Sequence, residues 1–182
     1  MKKLTHKRSV IAVIAIAILV FLDQLTKYIV KTNFELHETK MLIDGILRFR
    51  YIENPGMAWS MLEGKQLLFA IITPIVVFFI AKTFICLPED KRYTPIRILC
   101  VLIISGAIGN FIDRVWGGEA LFTGGVVDFI DFYIINFPVF NVADIYVTCS
   151  EILLIILLIF VYKDEDFKII ISSCTDFKKG DK

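Results

Sequence analysis

Gly106-Ala107-Ile108-Gly109-Asn110-Phe111-Ile112-Asp113-Arg114 is followed, after a glycine-rich loop, by Val126-Val127-Asp128-Phe129-Ile130-Asp131-Phe132. Phe137-Pro138-Val139-Phe140-Asn141-Val142-Ala143-Asp144 closes the stretch. Apolar runs at 96–112 and 139–162 flank it. Runs of this length suit helices that cross a hydrocarbon layer of ~30 Å. Asparagines and aspartates are thus gathered where two membrane helices meet at one surface. Ionisable groups at membrane depth are costly, so such a cluster calls for a function.

Working outward, 57% of the 182 residues are hydrophobic and the mean hydropathy is +0.71. A soluble chain is nearer about 45–50% apolar. The expected class is a mainly α integral membrane protein. Charged residues sit at the ends of apolar runs and in connecting loops. The net charge of +1 provides no field to recruit nucleic acid. Cys86, Cys100, Cys149 and Cys174 show neither C-x-x-C spacing nor a metal-ligand pattern, so no disulfide framework and no metal are expected.

Lys2, Lys3, Lys7 and Arg8 precede an apolar run from Val10 to Leu22, as in a signal peptide. No small-x-small cleavage site follows, and a retained first span over about 9–30 is expected. Asp23 and Lys27 lie toward its far end, four apart on one helix face. That spacing suits a local ion pair, or an Asp23 that orients polar groups of a site. Residues 32–65 are polar and β-prone. Asp44-Gly45 marks a turn, and Leu47-Arg48-Phe49-Arg50-Tyr51 alternates as a half-buried strand does. A small sheet outside the membrane is expected here, ended by Asn54-Pro55-Gly56. Trp59 suits the membrane interface.

Further spans are expected at about 67–87, 96–112 and 141–162. A polar, loosely held tail then occupies about 163–182, within one membrane-embedded domain over 1–182. Basic residues fall in the N-terminal tail, in the turn after Leu87 and after Tyr162. The positive-inside rule makes that side, with both termini, cytoplasmic. The Asn110–Asp144 cluster then lies at the outer boundary.

Pro138 bars a helix from extending upstream, Asn141 suits an N-cap, and Asp144 stands three residues on, as in a capping box. A helix N-terminus favours a carboxylate there. Asp113 pairs with either Arg114 or Lys27. Asp128 has apolar neighbours and no adjacent base, so burial should hold it protonated beyond the ordinary carboxylate range. Two carboxylates in opposed environments fit acid–base chemistry on water. His6 and His37 are remote, and no Ser–His or Cys–His arrangement competes. The spacing points to an aspartyl hydrolase. A small transporter with carboxylate ion sites and a non-catalytic assembly protein are the alternatives. The absence of an internal repeat and the one-sided cluster speak against the transporter.

The chain resembles the lipoprotein signal peptidase (signal peptidase II) family. The resemblance rests on Asp23-Gln24-Leu25-Thr26-Lys27, Asn54-Pro55-Gly56-Met57-Ala58-Trp59-Ser60, and the segments 106–114, 126–132 and 140–144. It implies a four-helix bacterial membrane aspartyl protease with a small extramembrane β-cradle. Such an enzyme cleaves prolipoproteins just before the diacylglyceryl-modified cysteine. Asp128 and Asp144 match the catalytic pair. Asp23, Lys27, Asn54, Gly56, Asn110, Asp113, Arg114, Asn141 and Ala143 match positions that support the site or meet substrate. The partners implied are lipid-modified prolipoprotein signal peptides and membrane lipid, for a monomer that needs no cofactor. Met57 and Trp59 replace the family's usual Ala and Phe, and Ser105 a usual Gly. The 115–125 loop is longer than usual. Its glycines and aromatics suggest a lid. Glu151, seven residues after Asp144, is expected to be protonated or hydrogen-bonded inside the bundle and not catalytic.

Overall fold

The computed structural model describes residues 2–56 and 66–177. In chain order these form α1 (Lys2–Asn33), β1 (Thr39–Ile43), β2 (Leu47–Asn54), α2 (Gln66–Cys86) and α3 (Thr94–Trp116). They continue as β3 (Val126–Asp131), α4 (Val142–Phe160) and α5 (Asp164–Phe177). Short 3-10 turns stand at Lys91–Tyr93 and Tyr133–Ile135. Four of the helices are long and apolar enough to cross a membrane, with spans at His6–Asn33, Leu67–Cys86, Lys91–Trp116 and Val142–Phe160.

α3 is the central helix and packs against α1, α2 and α4. Its contacts with α4 and α1 are close because Gly106 and Gly109 carry no side chain. A Cβ at Gly106 would meet the Ala143 carbonyl, and one at Gly109 would meet the Asp23 carboxylate. The lipid-facing sides of α1, α2 and α4 are rows of exposed Ile, Leu, Val and Phe, as hydrocarbon solvent allows. Pro95 opens α3, where its missing N–H costs nothing. Arg97, two residues further, donates to the carbonyls of Leu87, Pro88 and Asp90 and so ties the turn after α2 to the start of α3.

The sheet has the antiparallel order β1-β2-β3. The β1–β2 hairpin turns at Gly45, whose φ of +77° suits a residue without Cβ. Ile52 of β2 stands opposite Asp128 of β3, and Asn54 opposite Val126. Tyr51, Val127 and Phe129 pack with Val30 of α1, fixing the sheet to the end of the first span.

Four points differ from the sequence reading. α1 and α3 extend beyond 9–30 and 96–112. Asp128, read as part of a cluster where two membrane helices meet, lies on a strand, because β3 completes the edge that β2 offers. The C-terminal segment is not a loose tail: 164–177 form a helix whose Asp166 is gripped by Arg92. Glu151 is exposed on α4 instead of hydrogen-bonded within the bundle. The Trp59 assignment, with Met57, falls outside the described residues.

Candidate active site

The site is assembled at the end of the bundle where α1 finishes, α3 finishes and α4 begins. Pro138 and an isolated bridge between Ile130 and Phe140 deliver the chain to Asn141 in an extended conformation. The capping box then forms in full. Asn141 Oδ1 accepts from the Asp144 N–H at 3.0 Å, and Asp144 Oδ2 accepts from the Asn141 N–H at 3.1 Å. Two orphan donors of the helix start are satisfied, and the Asp144 carboxylate is fixed in orientation.

Three asparagines hold the carboxylates, the helix-capping Asn141 among them. Asn141 Nδ2 donates to Asp128 Oδ1 at 2.7 Å, and Asn54 Nδ2 donates to Asp128 Oδ2 at 3.0 Å. Asn110 Nδ2 donates to Asp144 Oδ1 at 2.8 Å. Asn141 Nδ2 also reaches Asn110 Oδ1 at 3.0 Å, which closes a bridge between the two halves. Asn54 Oδ1 in turn accepts from the Gly56 N–H at 3.0 Å. Asp128 and Asp144 thus face one volume from a strand and a helix.

Asp128 is 2% exposed. Its proton affinity is pushed up to about 7, first by loss of water around the carboxylate and second by the negative charge of Asp144. The Asn54 and Asn141 hydrogen bonds and the Lys27 charge oppose this shift without cancelling it. The expected raised proton affinity of Asp128 therefore has the cause read from its neighbours, with an added contribution from Asp144.

Behind the pair lies a buried ionic cluster. Lys27 Nζ is 2.8 Å from Asp23 Oδ2, 2.7 Å from Asp113 Oδ2 and 2.9 Å from Asn110 Oδ1. Lys27 is the partner of Asp113, and Arg114 is not. Asp23 acts in both of the ways the spacing allowed. It pairs with Lys27, and its Oδ1 accepts the Ala143 N–H at 2.9 Å. Ala143 itself is fully buried beside Gly109. Gln24 is a residue that sequence reasoning passed over. Its Nε2 reaches Asp113 Oδ1 at 3.0 Å, the Gly109 carbonyl at 3.1 Å and Asp23 Oδ2 at 3.2 Å. Its place one residue after Asp23 was the available signal. Asp131 is a second omission: buried on β3, it pairs with Arg48 Nε at 2.7 Å and so pins the strand that carries Asp128.

Arg114 donates to the carbonyls of Asn110 and Gly56 at 3.1 and 2.9 Å and lies over the Phe69 ring at 4.7 Å. Its Nε is buried without a hydrogen-bond partner among the described residues. An open cleft of about 630 Å³ begins at these groups and runs between α2, α3 and α4. Asn54, Gly56, Asn110, Arg114, Asp128 and Asp144 form its polar end. Phe69, Ile72, Val76, Ala107 and Val147 line its apolar length. The 115–125 segment does not line the cleft, contrary to a lid. It folds back on α3 through Phe122 N to Val115 O and Gly124 N to Arg114 O. Among the described residues no group of three or more His, Cys, Asp and Glu has the arrangement of a metal site.

Comparison with known proteins agrees with this architecture. Residues 15–160 match the model of the family described as Signal peptidase (SPase) II. A lipoprotein signal peptidase of Streptococcus pyogenes serotype M5 (strain Manfredo) is 38% identical over 155 residues, covering 85% of this chain and 95% of that protein. One from Enterococcus faecalis (strain ATCC 700802 / V583) is 40% identical over 146 residues, covering 80% and 83%. A solved bacterial membrane enzyme superposes with a TM-score of 0.71 at 38% identity, covering 81% of this chain and 87% of that one. A second gives a TM-score of 0.69 at 37% identity, covering 83% and 94%. With the family model spanning α1 to α4 and every strand of the sheet, this chain belongs to the signal peptidase II family.

Proposed function

We propose that Asp128 and Asp144 are the catalytic pair of this membrane aspartic endopeptidase. The enzyme removes the signal peptide from diacylglyceryl-modified prolipoproteins by cleaving just before the lipidated cysteine. The observation that carries the assignment is the asparagine-bridged pair of carboxylates at the polar end of an apolar cleft. The apolar length suits a signal-peptide helix arriving from the bilayer, and the polar end offers water to one peptide bond.

Asp128, buried and raised in proton affinity, holds a proton against the scissile carbonyl oxygen. Asp144 takes a proton from water as its oxygen attacks the carbonyl carbon. The tetrahedral diol collapses with breakage of the C–N bond, and the leaving amine receives the proton held by Asp144. Asp128 recovers its proton as the new carboxyl group forms. Asn54, Asn110 and Asn141 hold the two carboxylates in place. Lys27, Asp23 and Asp113 hold Asn110 and the start of α4. Arg114 and Gly56 border the polar end and meet the substrate backbone there.

Lys7, Arg8, Lys91, Arg92 and Lys163 cluster at the other end of the spans. The positive-inside rule puts that end, with both termini, in the cytoplasm, and the carboxylates at the outer face of the plasma membrane. The enzyme works as a monomer, since both carboxylates and their supports come from one chain. The test is cleavage of a synthetic prolipoprotein peptide by purified protein, with and without diacylglyceryl on its cysteine. The expected product is cut immediately before the lipidated cysteine. Cleavage elsewhere, or equal turnover of the unlipidated peptide, would overturn the substrate assignment.

A further inference from the structure

The cleft that ends at Asp128 and Asp144 is apolar along its length except at two points. Among its described lining residues, Thr73 of α2 and Thr148 of α4 carry the only polar side chains outside the polar end. Thr148 follows Asp144 by one helical turn and stands about 6 Å deeper at 1.5 Å per residue. Thr73 is likewise one turn deeper than Phe69, whose ring lies under Arg114. Threonines elsewhere in the spans bond back to their own helix. Thr26 donates to the Asp23 carbonyl at 2.7 Å, Thr32 to that of Tyr28 at 2.9 Å and Thr83 to that of Phe79 at 2.9 Å. Among the described residues the Thr73 and Thr148 hydroxyls take no such partner. Gly106 and Ala107 of α3 line the same cleft, with little side chain to hold a main chain off.

On the proposed peptidase function, the signal-peptide residues before the cysteine descend along this cleft. A peptide bond inside a helix has its carbonyl bonded to the N–H four residues on, so the chain has to open into an extended form around the bond that is cut. The opened residues lose their internal hydrogen bonds. Against Ile72, Val76 and Val147 their N–H and C=O groups would stay unpaired, which is costly away from water. An extended chain covers about 3.3 Å per residue, so one helical turn below Asp144 corresponds to about two residues before the scissile bond. A hydroxyl both donates and accepts, and so suits a main chain whatever its side chains. We infer that Thr73 and Thr148 bind the extended main chain of the signal peptide about two to three residues before the cut. They bind substrate and move no proton.

The test measures binding and single-turnover cleavage of a synthetic diacylglyceryl-modified prolipoprotein peptide. Wild type is compared with Thr73→Val, Thr148→Val, the double valine variant, Thr73→Ser and Thr148→Ser. Valine keeps the shape and removes the hydroxyl. Each valine variant should raise Kd by about two- to tenfold, the range for one net hydrogen bond, with the rate at saturation unchanged. Serine should restore the wild-type value. An ester in place of one amide removes an N–H and weakens a carbonyl of the peptide. Placed at the second or third residue before the cysteine, it should weaken binding to wild type by a similar factor and leave binding to the double valine variant unchanged. Wild-type affinity in both valine variants, or an equal ester effect on wild type and double variant, would overturn this inference while wild-type cleavage before the lipidated cysteine stands. Failure of wild type to cleave the peptide would overturn the peptidase function and this inference with it. If the valine variants do not fold, the ester series on wild-type protein decides. A loss confined to the second and third residues supports the contact; an even loss along the peptide, or none, overturns it.

Discussion

Asn141 Nδ2 lies 2.7 Å from Asp128 Oδ1. The residue that caps α4 is therefore also the residue that holds the carboxylate of a distant strand. A helix cap has few alternative positions, so Asp128 inherits its precision from the start of α4. This coupling explains why a strand residue and a helix residue serve as one unit.

Asp128→Asn and Asp144→Asn should each lower kcat by about 10²- to 10⁴-fold or more, the range associated with a general acid or base. Binding of the lipopeptide should change little, because asparagine preserves shape. The double variant should be little worse than either single one. Single-turnover cleavage with separate binding measurements checks this. Appreciable turnover by either folded single variant would remove the two-aspartate mechanism.

The pH profile should have a limb set by the carboxylate pair near neutrality. Asp128 titrates at about 7 with Asp144 beside it. Its proton is present below that pH and lost above it, so turnover should fall as pH rises through the limb. Asp144→Asn removes the nearby negative charge and should move the Asp128 titration downward. Carbon-13 NMR of labelled aspartate follows this directly. An upward or absent shift would mean that the two groups are not coupled.

Lys27→Met leaves Asp23 and Asp113 buried without their cation. The loss should be about 3–5 kcal/mol, as for one partner removed from a buried pair. Thermal unfolding in detergent measures it. An unchanged midpoint would mean that water or another cation compensates the two acids.

Gly109→Ala should displace the Asp23 carboxylate, because the added Cβ runs into it. The expected cost is about 1–3 kcal/mol for overpacking. The Asp23–Ala143 link would loosen and kcat would fall. Wild-type turnover with a wild-type unfolding midpoint would mean that α1 and α3 separate freely there.

Glu151→Gln should leave turnover unchanged and shift stability by no more than about 0.5 kcal/mol. Glu151 is exposed and does not line the cleft. A loss comparable to that of Asp144→Asn would give it a part in the reaction. Steady-state kinetics is sufficient to decide.

Local signals carried much of this structure. Asn141 and Asp144 fall within one helical turn, so their capping box is visible as a spacing. Asp23 and Lys27 are likewise neighbours on one face. The β1–β2 hairpin follows from Asp44-Gly45 and the alternation after Leu47. The strand at Asp128 was not legible, because its pairing partner β2 lies far upstream and all its side chains but Ile130 are buried. Periodicity vanishes when both faces are covered. Glu151 was misjudged for a related reason. Its spacing from Asp144 is correct for the helix face, but among the described residues nothing buries it there. α5 was hidden by its acidic start, which reads as a solvated tail until Arg92 is seen to bind Asp166.

Asp23 and Lys27 lie within about one turn of α1, whereas Asp113 on α3 has its counterion on another helix. α1 can enter a bilayer carrying its own compensation. α3 cannot, and a lone carboxylate at membrane depth is costly. Its ammonium partner is waiting only if α1 already stands alongside. The order of spans along the chain supplies this condition, since synthesis delivers the cation before the anion that needs it. Biogenesis of the bundle thus has a built-in sequence, with the N-terminal span acting as receptor for the third.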